Sequence, residues 1–220
     1  MGTKYLRLNN RLYNYLSRSR SDAADPLLRE LRHETAALGE EVSKCQISDD
    51  QGAFLSILVA AAGVKSAIEV GTFTGYSSLC IARALPPTGR LVCLDASREW
   101  TDIARKYWAR AGVQARIDLR LGPAIPALKR LEPGLRFDFA FIDAAKTEYD
   151  AYYELLLPRI RRNGLILFDN MLSAGRVGGR TAKDDIVRAV EGLNHKLAND
   201  ARVEAVLLSV ADGIQFCRKR

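Results

Sequence analysis

Apolar positions in this chain follow two periods, and the boundaries between them outline a fold. From residue 67 onward, short apolar runs alternate with longer stretches of helical spacing. The runs A-I-E-V-G (67–71), L-V-C-L-D (91–95), I-D-L-R-L (117–121), F-D-F-A-F-I-D (137–143) and G-L-I-L-F-D (164–169) read as strands. Helices fit between them at 75–84, 97–111, 123–131 and 148–162. Such alternation implies βαβ units: an α/β, mostly parallel sheet with helices on both faces and right-handed crossovers. After a helix at about 182–198 the rhythm changes. V-E-A-V-L-L-S-V (203–210) and I-Q-F-C-R-K (214–219) are separated only by A-D-G, so they pair antiparallel as a C-terminal hairpin. Upstream, residues 3–20 and 26–43 read as two helices, with Pro26 in the first turn of the second. I-S-D-D-Q-G (47–52) is a loop and helix start before an apolar helix at 53–62. The expectation is one domain over 1–220, its N-terminal helices (about 3–43) preceding the core.

Composition narrows the setting. The 220 residues suffice for one sizeable core. No run of about 18 apolar residues appears, so no membrane span is expected. Tyr5, Leu8, Leu12, Tyr15 and Leu16 sit at helical spacing between basic residues, unlike a signal peptide. Cys45, Cys80, Cys93 and Cys217 show no paired metal spacing and read as reduced thiols of a cytoplasmic protein. With only His33 and His195, an imidazole zinc site is not expected. The net charge is +7, and Lys4, Arg7, Arg11, Arg18 and Arg20 all precede the first acid, Asp22. Arg176, Arg180 and Lys183 form a second basic group. Such an arm suits nucleic acid, an anionic substrate or simply a solvated helix face. It lacks the aromatic interleaving of single-strand binders.

The chemistry gathers where strands end. F-I-D-A-A-K (141–146) and F-D-N (168–170) each close an apolar run, and ligands of open α/β sheets sit beyond the carboxyl ends of the strands. Asp143, Asp169 and Asn170 offer three oxygens to a hard divalent cation, Mg²⁺ foremost, with Mn²⁺ or Ca²⁺ also accepted by such donors. Lys146 stands where a neutral amine takes a proton from a bound hydroxyl, whereas Glu148 and Asp150 read as part of a solvated helix face. Upstream, E-V-G-T-F-T-G-Y-S (69–77) reads as a nucleotide-type cofactor loop, but its G-x-x-x-G spacing is not the pattern for a pyrophosphate. Glu69 suits a cationic ligand, such as the amino acid end of S-adenosylmethionine. Asp95 suits ribose hydroxyls, and Gly122-Pro123-Ala124 leaves room for an adenine. The alternative is that these acids only cap helices, a role Asp also fills.

In these motifs the chain resembles the class I, cation-dependent O-methyltransferases of the catechol and caffeoyl-coenzyme A type, small bacterial members included. The resemblance runs from about residue 26 to 219. It rests on I-S-D-D-Q-G-A-F-L (47–55), E-V-G-T-F-T-G-Y-S (69–77), L-D (94–95), R-L-G-P-A (120–124), F-I-D-A-A-K (141–146), F-D-N (168–170) and A-D-G-I-Q-F-C (211–217). It implies a Rossmann-like fold with a seven-stranded sheet, and S-adenosylmethionine lined by Ile47, Glu69, Gly71, Thr72, Phe73, Ser77, Asp95, Ala124 and Asp143. It further implies a metal on Asp143, Asp169 and Asn170, Lys146 as base, and a homodimer. Two departures stand out. Ala145 replaces the acid of the caffeoyl-type D-A-D-K, and Ser173 and Ala174 stand where that type has a tryptophan and a polar residue, implying a differently shaped acceptor pocket.

The expected reaction is methylation of a vicinal dihydroxy aromatic. Arg176 and Arg180 are candidates to meet an anionic acceptor. Alternatives are methylation of a hydroxylated uridine in transfer RNA, or a non-catalytic cofactor-binding relative. A nicotinamide oxidoreductase fits poorly without G-x-G-x-x-G.

Overall fold

The computed structural model describes residues 6–21, 24–179 and 184–220. Tyr5, Lys4, Asp22, Arg180 and Lys183 lie outside the described residues. Seven strands form one sheet in the order β3-β2-β1-β4-β5-β7-β6. They are β1 (Ser66–Val70), β2 (Arg90–Asp95), β3 (Ile117–Leu121), β4 (Phe137–Ile142), β5 (Ile160–Phe168), β6 (Val203–Leu208) and β7 (Ile214–Lys219). β1 to β5 are parallel; β7 runs antiparallel to both β5 and β6. The strand order reverses between β1 and β4, which makes their carboxyl ends the switch point where a crevice opens.

The period-2 pattern explains how the sheet is covered. Ala67, Leu91, Cys93, Phe139, Phe141, Leu165 and Leu167 face one layer. That layer contains α2 (Pro26–Ala36), α4 (Asp49–Ala61), α5 (Tyr76–Ala84) and α6 (Arg98–Arg110). Their neighbours Ile68, Val70, Val92, Leu94, Ala140, Ile142, Ile166 and Phe168 face α7 (Ala124–Lys129), α8 (Tyr149–Leu156) and α9 (Asp185–Asn199). Both faces are therefore buried, as a parallel sheet requires. Phe137 breaks the parity, and a register shift between Phe137 and Phe139 accounts for it.

Four expected helices have different limits. The first is only α1 (Asn10–Arg18), which buries no residue. The second stops at Ala36; Gly39 turns the chain at φ +106° before the single turn α3 (Glu40–Ser43). The helix expected at 53–62 begins at Asp49, because Ser48 and Gln51 form a reciprocal cap. The helix expected to reach 162 ends at Leu156. A turn containing Pro158 follows, and β5 starts at Ile160, four residues ahead of the apolar run. Among the described residues no helix is long and apolar enough to cross a membrane. Cys80, Cys93 and Cys217 are buried free thiols, whereas Cys45 is exposed.

Candidate active site

The ladder that joins the strands also aligns the site. Asp143 N donates to Val70 O (2.8 Å), Asp169 N to Ile142 O (3.0 Å) and Gly71 N to Leu94 O (2.9 Å). Gly71, Asp143 and Asp169 thus stand side by side just past β1, β4 and β5. Gly71 has φ +91°, and a Cβ there would lie 2.0 Å from the Asp143 carbonyl oxygen. Only glycine allows the two strand ends to approach so closely.

Beyond these ends lies a cavity of about 760 Å³. Ile47, Gly71, Phe73, Asp95, Ala124, Asp143, Lys146, Asp169 and Asn170, all singled out from the sequence, line it. Thr72 and Ser77 line a small adjoining recess shared with Ile47, Gly71, Phe73 and Asp143. Glu69 lines neither. It is fully buried under the loop, with Oε1 unpartnered and Oε2 3.6 Å from the Cys93 thiol. Burial pushes its carboxyl up to about 8, and the nearby Ser77, Thr72 and Cys93 side chains only partly offset this. An orphaned buried carboxylate oxygen beside the orphaned Thr72 hydroxyl suits a cationic group entering the recess.

Asp95 has a second task. Its Oδ2 accepts from Thr72 N (2.9 Å) and Phe73 N (2.8 Å), and its Oδ1 from Ser97 N (2.8 Å). The acid therefore braces the glycine loop as well as facing the cavity. Phe73, at φ +51°, packs edge-on against Trp100 with ring centroids 4.9 Å apart.

Asp143 and Asp169 end adjacent strands, close enough for their charges to act on each other. Asp169 is 2% exposed, and burial together with the Asp143 charge raises its carboxyl to about 7. Asp169 Oδ1 accepts from Gln51 Nε2 and from Asn170 N, each at 2.7 Å. Among the described residues Oδ2 takes no hydrogen bond. Lys146 Nζ lies 2.6 Å from Asp143 Oδ1 and 5.2 Å from the centre of the Tyr149 ring. Asn170 adopts φ +58°. The described residues hold no group of three His, Cys, Asp or Glu side chains gathered for a metal; the set here is two carboxylates and an amide. Paired acids in a buried wall, with one oxygen left free, match a hard divalent cation in chemistry and charge.

Other expectations need correction. Glu148, expected on a solvated helix face, lines the cavity and accepts from the Tyr152 hydroxyl. Ser173 and Ala174 do not line the cavity. Ser173 is buried against Arg176, and Asp212 Oδ1 accepts from Ala174 N at 2.7 Å. The Arg176 guanidinium is engaged by Asp184 and Ser173, away from the cavity wall. Arg20 of the basic arm is mostly buried on Asp49, which also accepts from Arg32 (2.7 Å) and the Tyr76 hydroxyl (2.9 Å). Arg32 also donates to Ile47 O (2.9 Å), fixing the segment before α4 over the cavity. Gln46, Gln51 and Trp100 line the cavity without having been singled out from sequence. For Gln51 a signal existed: S-x-x-Q at 48–51 is a capping-box pattern.

The sheet order and the crevice past β1, β4 and β5 define a Rossmann-like class I methyltransferase architecture. The model of the O-methyltransferase family matches residues 18–220, and the chain belongs to that family. It is 43% identical over 174 residues to a Dictyostelium discoideum protein named "Probable caffeoyl-CoA O-methyltransferase 2", covering 77% of this chain and 75% of that protein. It is 35% identical to the caffeoyl-CoA O-methyltransferase of Petroselinum crispum, over 100% of this chain and 95% of that one. The solved O-methyltransferase of Bacillus cereus in complex with SAH superposes with a TM-score of 0.87 at 32% identity, covering 96% of this chain and 97% of the other. The chain is thus an S-adenosylmethionine-dependent O-methyltransferase of the caffeoyl-CoA type.

Proposed function

We propose that this enzyme transfers a methyl group to one hydroxyl of a vicinal dihydroxy aromatic, assisted by a divalent cation held by Asp143, Asp169 and Asn170. The observation that carries this reading is the pairing of half-buried Asp143 with buried Asp169 on the wall that also presents Lys146. Two acids this close are destabilised unless positive charge joins them, and Lys146 bonds only Asp143, leaving the Asp169 carboxyl still raised. Bound there, a cation supplies Lewis acidity that lowers a phenolic pKa from about 10 and fixes two adjacent oxygens.

The chain's own residues supply the rest. Gly71, Thr72, Phe73, Asp95, Ala124 and Ile47 form the cofactor walls, with Glu69 and Ser77 beneath its amino acid end. S-adenosylmethionine, when bound, brings a methyl group on a sulfonium. Lys146, as the neutral amine, takes the proton of the acceptor hydroxyl at Nζ and is left as the ammonium that pairs with Asp143. Asp143 orients Lys146 from one side and belongs to the cation site on the other. Phe73 and Trp100 keep water from one wall, and alignment of the reacting groups contributes several of the ~7–11 kcal/mol that orientation can yield. The free thiols fit a cytoplasmic setting. The exposed Leu6, Leu8, Tyr15 and Leu16 suit contact within a homodimer.

The test is methyl transfer from S-adenosylmethionine to a panel of catechols, with Mg²⁺ or with excess EDTA, in wild type and Asp169→Ala. Turnover that needs Mg²⁺ and disappears in the variant supports the reading. Undiminished turnover in EDTA contradicts it.

A further inference from the structure

Gln51 reaches the candidate cation site from α4, 118 positions away in sequence from Asp169. It is 3% exposed, and both ends of its amide are committed. Oε1 accepts from Ser48 N (2.9 Å) and Ser48 Oγ (3.1 Å). A backbone N–H can only donate, so that contact fixes which end of the amide is oxygen. The NH₂ group must then point the other way, where it donates to Asp169 Oδ1 at 2.7 Å. With Asn170 N on the same oxygen, Oδ1 is occupied by two donors, and Oδ2 is the atom left for the cavity.

The local packing holds this geometry firmly. A Cβ on Gly52 would sit 2.6 Å from the Tyr76 ring, so α4 lies against α5 closer than a side chain permits. Tyr76 in turn bonds Asp49, two residues before Gln51, and Arg32 clamps Asp49 and Ile47. The start of α4 is therefore anchored on three sides before its glutamine reaches the acid.

We propose that Gln51 is a positioning residue of the cation site: its amide locks the Asp169 carboxylate so that Oδ2 faces the cavity. The inference rests on the reading of Asp143, Asp169 and Asn170 as that site. Hydrogen-bond partners that orient a ligating group typically set metal affinity by about 10–100-fold.

The experiment is direct Mn²⁺ binding, read by electron paramagnetic resonance of the free ion, without methyl acceptor. It compares wild type, Gln51→Met, Ser48→Ala and Asp169→Asn. Gln51→Met keeps length and helix propensity but removes the donor; Ser48→Ala weakens the α4 cap and leaves the donor. The expected result is a Kd for Mn²⁺ about 10–100-fold weaker in Gln51→Met, with Ser48→Ala within about threefold of wild type. The Mg²⁺ concentration giving half-maximal rate rises in step, while kcat at saturating Mg²⁺ changes far less. Equal affinity in Gln51→Met and wild type overturns the role of Gln51. Equal weakening in Ser48→Ala and Gln51→Met overturns it too, since the cap alone would then explain the loss. A wild type that binds no Mn²⁺ instead removes the cation site itself. Should Gln51→Met not fold, the side-chain amide of Gln51 is followed by ¹⁵N NMR in wild type. A shift on adding Mg²⁺, absent in Asp169→Asn, is the expected result; an unmoved resonance contradicts the proposal.

Discussion

Gly71→Ala is the sharpest perturbation the structure offers. At φ +91° an alanine is strained in itself, and its Cβ would lie 2.0 Å from the Asp143 carbonyl oxygen, 2.7 Å from the Asp143 carbonyl carbon and 3.1 Å from Ala144 N. These are backbone atoms, so no side chain can rotate away. Reaching ordinary contact needs an opening of about 1.4 Å between the ends of β1 and β4. Overpacking of this kind costs about 1–3 kcal/mol, and the left-handed backbone adds roughly 1 kcal/mol. The expected loss of stability is therefore about 2–4 kcal/mol by urea unfolding. Gly112→Ala is the control. Its φ is +69° with nothing within 4 Å of the added carbon, so about 1 kcal/mol is expected from strain alone. The functional effect is larger, because the moved residue is Asp143. A misplacement near 1 Å in a positioned site costs on the order of 100-fold in kcat/KM. Gly71→Ala that unfolds like Gly112→Ala and keeps its turnover would refute the tight approach of the two strand ends.

Three further outcomes follow from groups around the cofactor loop. Glu69 has its carboxyl raised from 4.5 to about 8, so its folded form disfavours the charge. Its contribution to stability is full below about pH 4.5 and is lost as pH rises through about 8, on the order of a few kcal/mol. Gln in its place should flatten that slope in thermal melts of the free protein while weakening S-adenosylhomocysteine binding. A wild-type melt with no decline over this window would count against it. Thr35 Oγ1 donates to Leu31 O, meets Thr74 Oγ1 at 2.8 Å and accepts from Gln46 Nε2 at 2.9 Å, all beneath the cofactor loop. Thr35→Val should cost about 1–3 kcal/mol by leaving those partners short, and should raise the S-adenosylhomocysteine Kd by calorimetry. Trp100→Ala removes the edge-on contact with Phe73, worth about 0.5–1.5 kcal/mol. Weaker cofactor binding with unchanged Mn²⁺ affinity is expected; equal loss of both would contradict the separation of the two sites.

The alternation of strands and helices was legible because β1, β2, β4 and the second half of β5 are buried on both faces and appear as short apolar runs. The acids at strand ends were legible for the same reason: each one terminates such a run. Glu69 was recognised as a strand-end acid, but its depth was not, since burial depends on Ser77 and Cys93 closing around it. The limits of α4 were written in Ser48 and Gln51, a local signal. Its second task, the bond to Asp169, was not, because no local pattern joins residues so far apart in sequence. The break at Gly39 and the early start of β5 at Ile160 were missed because polar neighbours, Glu40 and Glu41 in one case and Arg161 and Arg162 in the other, fit a helix equally well. Glu148 was placed on a solvated face because its role depends on the partner phenol of Tyr152.

The most direct measurement is a crystal structure with Mn²⁺, S-adenosylhomocysteine and a catechol, collected to give the anomalous signal of manganese. One peak is expected in the cavity, bound by oxygens of Asp143, Asp169 and Asn170, with both catechol oxygens completing the shell and Lys146 Nζ within hydrogen-bond reach of one. A catechol seated in the cavity with no peak at those three side chains would contradict it.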